Sequence, residues 1–307
     1  MSVSKFDIHD VRFVDIIDRG RDLERAKVGI VGIPHDRSTR GRPGARFAPQ
    51  KIRERLYKYS TYCIDYGVDI SELTVKDFGD INVHLESLKL IKGSIENSLS
   101  DILGKADVWV ILGGDHSITE PSLRAISKKV KGKVGLVIID AHHDLRELPE
   151  GHISSGTVIG DIIRTMKNKV EPRHIAQIGV RGFVNSRYYV EKARELGLMI
   201  YTVRDVRKLG ISRIMEEILN NLEGVDGIYF SFDVDGADIV YAPGVNAPSI
   251  GGLTPIEIFD IAFCLGKNEK VLAMDVTEHA PAYDVAGVTT DLAASAILYF
   301  LAGVAKR

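Results

Sequence analysis

Val134-Gly-Leu-Val-Ile-Ile139 runs without a break into Asp140-Ala-His-His-Asp144, and this junction decides how the chain is read. The first stretch is apolar, rich in β-branched residues and of strand length. No polar residue alternates along it, which is how a strand covered on both faces of a parallel sheet reads. The second stretch is a run of acids and histidines at the strand's C-terminal end. The pattern recurs where Gly227-Ile-Tyr-Phe-Ser-Phe232 leads into Asp233-Val-Asp235. Residues i, i+2 and i+4 of an extended segment share a face. Continued extension therefore predicts Asp140, His142 and Asp144 aimed one way, and Asp233 together with Asp235. Carboxylates that converge in a partly buried site cannot all stay ionised, and one or two divalent cations would remove the conflict. Gly113-Gly-Asp115-His116-Ser117 follows a further apolar run and adds His116 to the set.

The same alternation extends over the chain. Apolar runs predict strands over Val28–Ile33, Val108–Leu112, Val134–Ile139, Ile175–Val180, Met199–Val203, Ile228–Phe232 and Val271–Met274. Helical periodicity falls between them, over Pro49–Tyr59, Glu86–Leu103, Thr119–Lys129, Ser186–Leu196, Ser212–Leu222, Pro255–Leu265 and Thr290–Gly303. Strands and helices in turn predict a parallel α/β sheet covered on both faces. No repeat, low-complexity tract or linker marks a boundary, so one domain over residues 1–307 is expected. His116, Asp140, Asp233 and Glu278 each fall at or just past the C-terminal end of a predicted strand, the edge at which open α/β sheets bind ligands.

Composition narrows the class. The chain has 307 residues, 45% hydrophobic and 27% charged, with a net charge of -2. It carries no basic excess that would suggest nucleic acid. No apolar run is long enough to span a membrane, and Met1–Asp7 lacks a signal-peptide core. Cys63 and Cys264 are too few for a disulfide framework or a thiolate metal site and read as buried thiols. A cytoplasmic enzyme fits these features.

Turn or helix-capping Asp is common at strand ends. It accounts for one Asp per loop but not for Asp-x-His-x-Asp and Asp-x-Asp together. Oxygen and imidazole ligands without thiolate suit Mn²⁺, with Zn²⁺, Co²⁺ and Ni²⁺ open by ligand type. Glu278, in Asp275-Val-Thr-Glu278-His279, is suited to grip a cationic amidine or guanidine through paired hydrogen bonds. His152 is a candidate proton shuttle, or an exposed loop histidine. His143, between ligand positions, should face away. Arg40, Arg42, Arg46, Arg146 and Arg181 include candidate anchors for an acidic substrate.

Gly113-Gly-Asp-His-Ser117, Asp140-Ala-His-His-Asp144, Ser231-Phe-Asp-Val-Asp235 and the Glu278 segment, in that order, resemble the ureohydrolases: arginases, agmatinases, guanidinobutyrases, proclavaminate amidinohydrolases and formimidoylglutamases. The resemblance covers nearly the whole chain and includes Gly32-Ile-Pro-His-Asp36 and Arg42-Pro-Gly-Ala-Arg46. It implies a three-layer α/β/α fold around a parallel sheet of about eight strands. It also implies two Mn²⁺ per chain. His116, Asp140, Asp144 and Asp233 would hold one; Asp140, His142, Asp233 and Asp235 would hold the other, with Asp140 and Asp233 bridging. A metal-bridging hydroxide would attack the central carbon of a linear amidine or guanidine. Asp144 would accept its hydrogen bond and Glu278 would hold the amidinium. A homo-oligomer, trimer or hexamer, is implied as well.

Subfamily signals diverge. Many arginases and agmatinases carry His-Gly-Thr where this chain has Ser155-Gly-Thr157, which leaves the proton-shuttle role to His152. Ser154-Ser-Gly-Thr157, Asp144-Leu-Arg146, the Arg181 segment and Pro243-Gly-Val-Asn246-Ala-Pro248 are more similar to formimidoylglutamases. Arg42-Pro-Gly-Ala-Arg46 and Ala280-Pro-Ala-Tyr-Asp284 are more similar to agmatinases. Formimidoylglutamate is the favoured substrate, with Arg146, Ser155, Arg181 and Asn246 as its expected contacts beside Glu278. Agmatine is the alternative, ahead of arginine or guanidinobutyrate. The other classes open are a non-catalytic metal-binding homologue and a single-zinc deacetylase on a related fold; Asp235 argues against the latter.

Overall fold

The computed structural model describes residues 9–83, 87–149 and 152–307. Met1–Asp7 and Glu86, the predicted first residue of a helix, lie outside the described residues.

The strand-length apolar runs form one sheet. Its strands are β1 (Ala26–Gly32), β4 (Val75–Asp80), β5 (Ala106–Leu112), β6 (Val134–Ile139), β7 (Ile175–Val180), β8 (Met199–Thr202), β9 (Gly227–Asp233) and β10 (Val271–Thr277). The order is β4-β1-β5-β10-β9-β6-β7-β8, and every neighbouring pair is parallel. A small antiparallel hairpin, β2 (Tyr62–Cys63) and β3 (Val68–Asp69), stands apart. The chain builds the sheet outward on both sides and then returns to fill the centre with β9 and β10. Four adjacent central strands, β5, β10, β9 and β6, therefore end side by side.

Alternate strand residues feed two cores. Ile228, Phe230 and Phe232 of β9 join one cluster with α1 (Phe13–Gly20), α2 (Ala48–Leu56), α7 (Val203–Leu209), α8 (Ile211–Asn221), α9 (Pro255–Lys267) and α10 (Val288–Val304). Tyr229 faces the other cluster, with α3 (Leu88–Ile102), α4 (Thr119–Ile126), α5 (Val158–Thr165) and α6 (Arg187–Glu195). This is the expected three-layer arrangement, and each central strand is buried on both faces.

The differences from the sequence reading have local causes. β4 carries Lys76, Asp77 and Asp80 and has no apolar run, because it is an edge strand whose outer side needs no burial. Val203 begins α7 rather than ending β8, because Thr202 and Asp205 close a capping box there. The structure adds three short helices, α1, α5 and α7, to those the periodicity predicts. Among the described residues, no helix is long and apolar enough to cross a membrane.

Candidate metal centre and cleft

The acidic runs do not continue as strands. β6 stops at Ile139 and β9 stops at Asp233. In each loop the leading carboxylate folds back onto the N–H two residues on. Asp140 Oδ1 accepts from His142 N (2.6 Å) and Asp233 Oδ1 from Asp235 N (2.8 Å). Such turns suit Asp because its short side chain reaches its own backbone. The ligand types expected at one point do converge, but tight capped turns bring them together, not extended alternation. The turn leaves Oδ2 of each carboxylate to face inward.

The inward atoms form two overlapping groups. His116 Nδ1 lies 3.4 Å from Asp140 Oδ2, 3.0 Å from Asp144 Oδ2 and 3.2 Å from Asp233 Oδ2. His142 Nδ1 lies 3.3 Å from Asp140 Oδ1 and 3.1 Å from Asp235 Oδ2. Within His116, Asp140 and Asp233, and within Asp140, His142 and Asp235, one donor atom per residue lies within 4.8 Å of the others. Asp140 is common to both groups. Its Oδ2 is buried and has no hydrogen-bond partner. An orphaned carboxylate oxygen at the join of two oxygen–imidazole sets fits a pair of hard divalent cations.

Charge gives the same answer. Burial would depress both histidines, but the carboxylates outweigh it. His116 is held well above its ordinary value by Asp140, Asp144 and Asp233, and His142 is pushed up to about 12 by Asp235 and Asp140. Burial and Asp140 push Asp144 up to about 6. Burial, then Asp235 and Asp140, raise Asp233 well above the carboxylate range. The cluster is short of positive charge.

Glu278 leaves the end of β10 with φ +66, and Asp144 sits at φ +48. These left-handed conformations are costly for side chains other than Gly and Asn. Glu278 Oε1 accepts from His116 N (2.6 Å), while its buried Oε2 has no protein partner. Burial and nearby Asp233 raise its pKa well above the usual range. Gly114 lets the neighbouring loop pass: a Cβ there would lie 1.6 Å from His35 O.

The cleft above holds about 150 Å³. Its lining includes His142, Asp144, Asp233, Asp235 and Glu278 on the floor and Arg40, Arg146, Ser155 and Asn246 toward the mouth. Ser155 N donates to Ser38 O, and Arg146 N donates to Gly156 O, both at 3.0 Å. These bonds draw the Arg40 loop and the Arg146 segment to either side of Gly156. A Cβ on Gly156 would lie 2.8 Å from Arg146 Cδ and 3.2 Å from Arg40 Cδ. Among the described residues, neither guanidinium has an acidic partner.

The other arginines are engaged elsewhere. Arg181 was expected at the substrate. It is buried instead and donates to the carbonyls of Gly179, Asp235, Gly236, Ala237, Ser249 and Ile250, bracing the Asp235 loop. Arg42 bonds to the carbonyls of Pro243 and Val245 and stacks on Tyr283. Arg46 pairs with Asp36. His152 is exposed against Pro149 O (3.2 Å) and lines a neighbouring cavity with Glu147 and Lys192, not the acidic cleft. It therefore stands on the wrong side of Arg146 for a shuttle at the cluster. His143 faces away, as expected, onto Gln177 Oε1 (2.8 Å). Asp275 lies behind His116 through Ser231, a placement the sequence does not signal because the apolar run Val271–Met274 ends just before it.

Comparison with known proteins yields consistent matches. A family model described as the arginase family matches residues 26–303. The chain is 36% identical to the formimidoylglutamase of Halalkalibacterium halodurans, over 90% of this chain and 86% of that protein. It is 35% identical to the mitochondrial agmatinase of Gallus gallus, over 91% and 81%. A solved Trypanosoma cruzi formiminoglutamase with Mn²⁺ superposes with a TM-score of 0.88 at 26% identity, covering 97% of this chain and 99% of that one.

Proposed function

The chain belongs to the arginase family, and from that premise we propose that it hydrolyses formimidoylglutamate to glutamate and formamide with two Mn²⁺ per chain. The observation that carries the substrate is the polarity of the cleft. Its floor is carboxylate, and its mouth holds two arginines that have no acidic partner among the described residues. A substrate with a cationic formimino group, a carboxylate on the carbon that bears it and a second carboxylate at the far end of the chain matches both. Agmatine, the alternative, would bring its far ammonium against two guanidinium groups, and like charges so juxtaposed cost several kcal/mol.

Two divalent cations held by His116, Asp140, Asp144 and Asp233 on one side and Asp140, His142 and Asp235 on the other would supply Lewis-acid activation of a water molecule near neutral pH. The shared role of Asp140 rests on the overlapping donor groups; that of Asp233 as a second bridge rests on the family pattern. Glu278 receives the amidinium through its free Oε2. Asp144 accepts a hydrogen bond from the attacking water and orients it toward the central carbon. Arg146 and Arg40 hold the substrate's carboxylates, with Ser155 and Asn246 beside them, and fix its reach. His152 has no part in this scheme.

Two free cysteines, Cys63 and Cys264, fit a cytoplasmic setting. Phe183, Val240 and Ile250 expose large apolar side chains on loops joined through Arg181 and the Ile239–Ser249 backbone bond, which supports a homo-oligomer. Product assays with added Mn²⁺ test the substrate. Formamide from formimidoylglutamate is expected; urea from agmatine, with formimidoylglutamate left intact, would overturn the substrate and leave the family standing.

A further inference from the structure

We infer that Asp275, acting through Ser231, sets the tautomer of His116 and so tunes the affinity of one metal position. Asp275 and Ser231 are register partners on β10 and β9, with side chains on the same face of the sheet, beneath the start of α4. Asp275 is fully buried, and among the described residues no ion pair reaches it. Three hydroxyls surround it. Ser231 Oγ lies 2.6 Å from Oδ1, and Thr119 Oγ1 and Tyr229 OH lie 2.7 and 2.8 Å from Oδ2. A carboxylate only accepts, so each hydroxyl must give its single proton to Asp275.

That fixes the next bond. Ser231 Oγ also lies 3.0 Å from His116 Nε2. With its proton committed to Asp275, Ser231 has only a lone pair to offer. His116 Nε2 must therefore carry the hydrogen, and Nδ1, which faces Asp140, Asp144 and Asp233, is the nitrogen free to bind a cation. Metal-binding histidines are commonly oriented by an acceptor on the second ring nitrogen. Here a hydroxyl is interposed, and the carboxylate behind it decides which way the hydroxyl points. In Asp275→Asn the side chain has one acceptor oxygen; set against the two hydroxyls of Thr119 and Tyr229, it turns its NH2 toward Ser231, whose proton is then free to point to Nε2. The hydrogen then moves to Nδ1, where it opposes the cation. His142 has no link to Ser231 or Asp275, so the effect is confined to the His116 side. Asp275 is a positioning residue and does not touch substrate.

The inference rests on the two-cation reading of the centre. Its test is Mn²⁺ titration of the metal-free full chain by calorimetry, with electron paramagnetic resonance to separate a coupled ion pair from an isolated ion. Wild type should take two ions and give the coupled signal. Asp275→Asn should bind one ion as wild type does and the second about 10–100-fold more weakly, with the isolated signal at intermediate loading. Ser231→Ala, which a buried strand tolerates, should show the same selective loss and carries the test if Asp275→Asn does not fold. Both variants binding two ions with wild-type affinity, or weakening both positions equally, would overturn the inference and leave the two-cation reading in place. Wild type that takes no second ion would overturn both.

Discussion

The floor and the mouth of the cleft are built on opposite terms. Floor residues leave four adjacent strand ends, are buried apart from half-buried His142, and bond to one another or to capped backbone. Mouth residues come from loops far apart in sequence, Arg40 on one side and Arg146 on the other, and among the described residues their charged ends have no acidic partner. On the proposed function, the floor, held by the sheet, carries the hydrolytic chemistry, and the mouth, held by two backbone bonds around Gly156, selects the substrate. Subfamily differences should therefore concentrate at the mouth.

The largest effect should come from the floor. Asp140→Ala removes the one residue common to both donor groups. Both ions should be lost, with turnover falling about 10³-fold or more, since metal activation supplies several kcal/mol at about 1.4 kcal/mol per tenfold. Elemental analysis and steady-state kinetics measure this; an Asp140→Ala protein retaining two ions would remove the distinction between floor and mouth. Asp235→Ala should weaken only the His142 side.

Next come the mouth arginines. Arg146→Ala should raise KM for formimidoylglutamate by about 2 kcal/mol, roughly 30-fold, as a half-buried charged contact does. Exposed Arg40 should count for less, about 1 kcal/mol or under. Neither should change metal content. If both variants keep wild-type KM, the mouth does not select the substrate.

Arg181→Ala tests the boundary between the regions. As a brace on the carbonyls around Asp235, it should lower thermal stability and weaken the His142-side ion, where a substrate anchor would chiefly raise KM. Loss of its charged hydrogen bonds should cost about 1.5–3 kcal/mol.

The smallest effect is a pH dependence near the same loop. Burial would raise the Asp238 pKa, but N–H groups of Val240, Gly252 and Gly251 outweigh it and hold the carboxylate below its ordinary value. A folded pKa below the unfolded one gives stability that is complete above about pH 4 and lost as pH falls through the folded value. Melting curves from pH 6 to 3 should show a shallower decline in Asp238→Asn; an unchanged slope would remove Asp238 as a contributor.

Much of the floor was legible because its signals are short in sequence. Apolar runs fix buried strands, and Asp140, Asp144, Asp233 and Asp235 follow them within a few residues. The edge strand β4 was not legible, since an edge needs no apolar run. Nor was the bracing role of Arg181, because nothing in a sequence tells a guanidinium that faces solvent from one wrapped by carbonyls.

By itself, then, the sequence determined the parallel α/β sheet, the edge where the candidate site sits and the types of residue that converge there. Burial periodicity and local turn chemistry are written within a few residues. Tertiary structure alone decided that Arg40 meets Arg146 over Gly156, that His152 stands outside the cleft and that Asp275 lies behind His116. Those relations depend on which strands become neighbours, and in a parallel sheet neighbours such as β5 and β10 are brought together only by the crossing of the whole chain.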